Sequence, residues 1–272
     1  MSMVGLALRL SAVMALKNAT LAGKRVFDSA ILPVDKLTTK AGPEPFIAIS
    51  TEDETSKPSG RDLHNGDRTI DLVIEVAIGK TVALPGDGGT GVQVADTDAN
   101  LEMSLAIVMR QVEACLFGAG GGQWGKVFRA IAKAIEETVT RRGLPEKEGE
   151  RFAARQTGYR IKAFAEPAFG QQPAPGSPFA LFLAALDAEP GYEAFGAIVR
   201  QAIEGVPIGW PEVYTVGAIM AGYTEEEAQS IGIAPLGGAD SAPLAELTIL
   251  PDGMVLDADS IEASLPPDEG ET

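Results

Sequence analysis

From Thr69 onward the chain alternates. Ile70, Leu72, Ile74, Val76 and Ile78 fall at every second position, with Thr69, Asp71, Val73, Glu75 and Ala77 between them. A period of two in β-branched residues predicts a strand over residues 68–80, with one face in the core and the other wet or against a partner. Farther along, the period lengthens. Leu101, Leu105, Val108, Val112 and Cys115 or Leu116 share one helical face, predicting a helix over 98–117. Asp96, Thr97 and Asp98 supply its N-cap and first-turn charge, and the glycines from Gly118 to Gly122 stop it. A strand followed by a helix of matching length implies a helix laid across a sheet.

The same reading extends outward. Leu6, Leu10, Val13 and Leu16 predict a helix over 3–17, and Leu8 and Met14 widen its stripe until much of it is covered. Residues 25–31 and 45–50 read as strands, and the acidic, polar stretch 51–67 reads as a long loop. Trp124, Phe128, Ile131, Ile135 and Val139 predict a helix over 124–142 ending at Arg141, Arg142 and Gly143. Alternation returns over 158–166, a further strand. The Pro-rich segment 167–178 reads as a linker, followed by helices near 178–188 and 191–204. Residues 247–256 read as a hairpin around Pro251, Asp252 and Gly253, and the final PPDEGET is expected to be disordered. The expected fold is α/β (α+β): a mixed or antiparallel sheet against two to three helices over 1–170. A Pro/Gly-rich linker and an acidic extension or small second domain make up 171–272.

Charge sharpens that division. The chain of 272 residues carries a net charge of −16, yet all 22 Lys and Arg lie at or before Arg200. From Gln201 to the end there are 14 acids and no base. This acidic region reads as a solvated extension or a surface for a basic partner, and no basic stripe suited to a phosphate backbone is visible. The apolar fraction of 45% supports a packed core. One cysteine rules out an internal disulfide framework and fits a reducing compartment. The apolar N-terminal run is interrupted by Arg9 and too short for a bilayer, so a soluble protein with no membrane association is expected.

Candidate chemistry is sparse. GGGQWGK, from Gly120 to Lys126, matches the letters of a phosphate-binding loop, but Val127 stands where Ser or Thr would hold magnesium, and a helix precedes the loop where a strand should. The glycines from Gly86 to Gly91 read as a turn. His64, the one histidine, lies beside Asp62 and Asp67 in a polar loop with no nucleophile to pair with it. Cys115 sits on the apolar face of its helix. Glu52, Asp53 and Glu54 lack the alternating spacing of a calcium loop. The acids from Glu225 to Glu227, after Thr224, read as a capped first helical turn. The residues therefore support no catalytic, cofactor or metal site, and hence no enzyme.

Over about the first 120 residues the order of elements resembles the tail terminator and minor tail proteins of long-tailed bacteriophages and gene-transfer particles. The resemblance lies in MVGLALRLSAVMALKNAT, RVFDSAILPVDKL, PFIAISTEDE, DLVIEVAIG and ANLEMSLAIVMRQVEACLFG. It implies a virion protein, assembled in the host cytoplasm, that forms a homohexameric ring. Such a ring caps the tail tube, ends polymerisation of the tube protein and faces the head–tail connector, while DNA passes through the lumen without specific binding. An acidic lining would suit that passage. Two alternatives stand beside it: another neck or head-completion protein, and an α/β nucleotide-binding enzyme using the loop from Gly120 to Lys126.

Overall fold

A computed structural model describes residues 2–29, 44–58, 66–83, 90–93, 98–143, 153–206, 216, 246–249 and 254–257. The chain divides into two compact units, Met1–Ile208 and Gly209–Thr272.

The first unit is built on a six-stranded mixed sheet: β1 (Val26–Asp28), β2 (Glu44–Ser56), β3 (Arg68–Ala83), β4 (Thr90–Gln93), β5 (Ala132–Gly143) and β6 (Ala153–Ala163). Strands run in the order β1-β2-β3-β6-β5, with β4 paired to the end of β3. Only β1 and β2 are parallel; the other pairs are antiparallel. The alternation in β3 does what it predicts. Ile70, Leu72, Ile74, Val76 and Ile78 are buried, and Ile161 and Tyr159 of β6 stand opposite Ile70 and Leu72 on the same face.

Among the described residues the unit has five helices: α1 (Met3–Leu16), α2 (Asp98–Leu116), α3 (Gly122–Ile131), α4 (Pro178–Ala188) and α5 (Glu193–Glu204). Their buried side chains join those of β3 and β6 in one core. α1 is covered nearly all round, with 11 of its 14 residues buried, including Arg9 and Ser11. Ser11 Oγ donates to the Leu8 carbonyl, and Arg9 pairs with Asp28 at 2.5 Å, so neither polar group is buried without a partner. α4 begins with Ser177 as N-cap and Pro178 in its first turn, and α5 ends at Gly205 in the left-handed region. Phe179 and Phe182 of α4 and Val199 and Ile203 of α5 belong to the common core. The helices after the Pro-rich segment are thus part of the first unit, which runs past residue 170 to Ile208.

Two expectations are corrected. The predicted helix over 124–142 ends at Ile131, and residues 132–143 are β5. Ile131, Ile135 and Val139 keep a helical spacing, but a bulge between Ile135 and Glu137 sets Ile135 opposite Ile161 on the core face and Val139 opposite Gly158 on the outer face. The apparent stripe is therefore not one face of the strand. Thr138, Val139 and Thr140 favour the strand, and β6 offers a partner along its whole length. The predicted loop 51–67 is extended as far as Ser56. There β2 continues against β3 after a bulge between Thr51 and Glu54, so that Ser56 pairs with Arg68. Ladder bonds to β3 outweigh the low strand propensity of Glu52, Asp53 and Glu54. The later strand also starts earlier than expected, at Ala153.

In the second unit, β7 (Glu246–Ile249) and β8 (Met254–Asp257) form the expected antiparallel hairpin. The final PPDEGET lies outside the described residues.

Candidate assembly surface

The buried side chains of the five described helices join the core face of the sheet, and among the described residues none of them joins the outer-face cluster. Strand register arranges this outer face in rows. Asp71, Arg160 and Glu137 stand side by side across β3, β6 and β5, an acid-base-acid row. Next come Ser50, Val73, Gly158 and Val139, a row with little polarity. Beyond that lie Ala48, Glu75, Gln156 and Arg141. Gln156 Nε2 donates to Glu75 at 2.7 Å. At the far end Phe46, Ala77 and Ala154 make a small apolar cluster with Phe27, separate from the main core.

This face is not flat. A Cβ added at Gly158 would meet only the Val139 carbonyl oxygen, at 3.9 Å. The glycine thus leaves a dip between Val73 and Val139, part of a shallow concavity of about 150 Å³ that Glu137, Arg141 and Arg160 also line. A larger concavity of about 680 Å³ lies toward the start of β3, lined by Lys57, Asp67, Glu136, Arg160 and Lys162 among others. Charges of both signs line it. Lys133 bonds Asp67 at 2.6 Å and stacks over the Phe164 ring at 4.8 Å.

The two edges of the sheet differ. β1 has three residues and is held against α1 through Asp28. β5 has twelve and ends the strand order, and every residue from Lys133 to Arg141 is exposed, with Ile135 at 42% and Val139 at 38%.

On the core side, one ionic cluster ties the sheet to α1. The Glu166 carboxylate accepts from the Met3 and Val4 N–H groups (3.2 and 2.9 Å), and Glu54 accepts from the Ser2 N–H (3.0 Å). These are the free donors of a helix N-terminus, where negative charge is also favoured by the helix dipole. Arg68 bridges the two acids, 2.8 Å from Glu54 and 3.3 Å from Glu166. Burial alone would raise the Glu54 carboxyl, but the hydrogen bonds from Ser2 and the Arg68 guanidinium hold it below its ordinary value of 4.5. The reading of Glu52, Asp53 and Glu54 as an acidic cluster missed this. Glu54 points inward because the bulge resets the alternation, while Glu52 and Asp53 are exposed.

Of the residues from Gly120 to Lys126, Gly120 and Gly121 lie between α2 and α3, and Gly122 to Lys126 form the start of α3. Gly121 is left-handed (φ 72°) and precedes α3. Arg129 Nη1 donates to the carbonyls of Cys115, Leu116 and Gly120 (3.0, 3.3 and 3.4 Å), satisfying the end of α2. A Cβ on Gly125 would lie 2.5 Å from the Gly120 oxygen, so close packing of α3 on this loop requires that glycine. Lys126 is exposed. Cys115 is buried, and desolvation raises its thiol against the lowering influence of the Gly121 N–H and Arg129. His64, Asp62, Thr224 and the acids from Glu225 to Glu227 lie outside the described residues, as do the glycines at 86–89. Among the described residues no helix is long and apolar enough to cross a membrane, and no cluster of three or more His, Cys, Asp or Glu is placed to hold a metal ion.

No protein-family model matches this chain, and no curated protein matches it either.

Proposed function

We propose that this chain is a structural subunit of a tail-terminator ring, acting by assembly rather than by catalysis. One observation carries the reading. A sheet with every described helix of its unit packed on the core side has an outer face of alternating apolar and mixed-charge rows and a twelve-residue edge strand exposed from Lys133 to Arg141. Solvated faces of antiparallel sheets are usually uniformly polar. Here the exposed Val139 lies among the exposed Glu75, Glu137, Arg141 and Arg160, a mixture suited to a partner surface. The order of the first elements, helix, strand, long strand pair and helix, supports the resemblance to terminator proteins. On this reading the ring is a homohexamer that caps the tail tube and faces the connector in the virion. The acid-rich end of the chain keeps passing DNA from sticking, by like-charge repulsion.

Electron microscopy of the purified chain, alone and with tail tubes, tests this. Closed rings, and tubes whose ends they cap, are expected. Protein that forms no ring at any concentration and leaves tubes uncapped would overturn it.

A further inference from the structure

We propose that the free subunit pairs with a second copy of itself through β5, antiparallel, about a two-fold axis passing through Val139. An exposed edge strand presents unpaired N–H and C=O groups and invites another strand, unless its side chains prevent it. β5 is long enough for stable pairing and rich in β-branched residues at its centre, Thr138, Val139 and Thr140. Its charges decide what can pair with it.

In a two-fold antiparallel pair centred on Val139, Glu137 of each copy stands opposite Arg141 of the other, and Thr138 opposite Thr140. Both charged residues project from the outer face with Val139, beside the same shallow concavity. Among the described residues neither takes part in a salt bridge within its own chain. Other registers that keep each side chain on its face lose this match. Centring on Thr138 sets Glu137 against Val139, and centring on Thr140 sets Arg141 against Val139. Opposite charges facing each other across strands stabilise a pair and like charges weaken it, so the strand is complementary to itself in one register. The other edge is unsuited to this: β1 is three residues long and Asp28 is held by Arg9.

Such a contact is isologous. It closes at two copies and cannot generate a ring, which needs a different patch on each side of the subunit. The pairing therefore covers the edge of unassembled chains and stands apart from the ring reading.

The test is the full-length chain in sedimentation equilibrium, at concentrations below those at which any ring forms. A monomer–dimer equilibrium is expected. Glu137→Arg and Arg141→Glu, each placing like charges opposite each other twice, should weaken it about tenfold or more. The double variant should restore it, since each copy then presents Arg at 137 to Glu at 141. Val139→Cys should give a covalent dimer on mild oxidation, because the two thiols face each other at the axis. Circular dichroism of each variant checks that the fold is intact. A monomeric wild type, a double variant no better than either single one, or a Val139→Cys chain that stays uncrosslinked would each overturn the proposal.

Discussion

The two faces of the central sheet are made from the same strands, and they obey different rules. On the core face, Leu72, Ile74 and Ile161 are fully buried beneath the helices, and the buried guanidinium of Arg68 is bridged to two acids that cap α1. On the outer face, charges sit one strand apart in rows, at ordinary surface distances such as the 4.0 Å between Arg160 and Glu136. Side chains on the first face hold the fold; on the second, the exposed ones, such as Glu75, Val139 and Arg160, are available for contact.

The largest effects should come from the core face. Phe128 is fully buried against Phe117, and Phe128→Ala should lower unfolding stability by about 3–5 kcal/mol in urea melts. Arg68→Met should cost about 3 kcal/mol by the same measurement, the low end for breaking a buried ion pair, because the N–H groups of Ser2, Met3 and Val4 still hold the carboxylates. The cluster also predicts a pH dependence. Glu54 has a depressed pKa in the folded chain, so its contribution is complete above the ordinary value of 4.5 and is lost as pH falls through the lowered folded value. Thermal melts between pH 6 and pH 3 should show part of the acid destabilisation vanish in Glu54→Gln. A subtler case is Tyr159, whose hydroxyl is buried without a hydrogen-bond partner among the described residues and is pushed up to about 12, chiefly by desolvation. Tyr159→Phe should leave stability unchanged or raise it by up to about 1 kcal/mol. The smallest effect belongs to the outer face: Arg160→Ala should move stability by no more than about 0.5 kcal/mol. A larger loss there would show that the outer face also holds the fold, and would erase the contrast between the two.

Much of the core face was legible in the sequence, because burial on one side writes a strict period of two. Ile70 to Ile78 announced both the strand and its inner face. The edge was not legible, since Ile131, Ile135 and Val139 keep a helical spacing although a bulge puts Ile135 and Val139 on opposite faces of the strand, and only the presence of β6 decides between helix and strand. Glu54 was hidden for a related reason: a bulge shifts the register, and no single-residue property announces a bulge. The outer face could be anticipated as wet or partnered, but its row structure depends on which residues of β5 and β6 lie opposite β3. That is a property of pairing, absent from any one segment.

The passage from α3 into β5 takes no linker residue at all. Ala132 sends its N–H back to the Phe128 carbonyl, closing the helix, and is also the first residue paired in the edge strand. Such a joint has no slack. A pull on the edge would arrive undamped at α3, whose Trp124 is tied to Glu189 at the end of α4 by a 2.8 Å hydrogen bond. Mechanically, the exposed strand is a handle on the helical layer, and load applied at the rim of the subunit is carried into its interior.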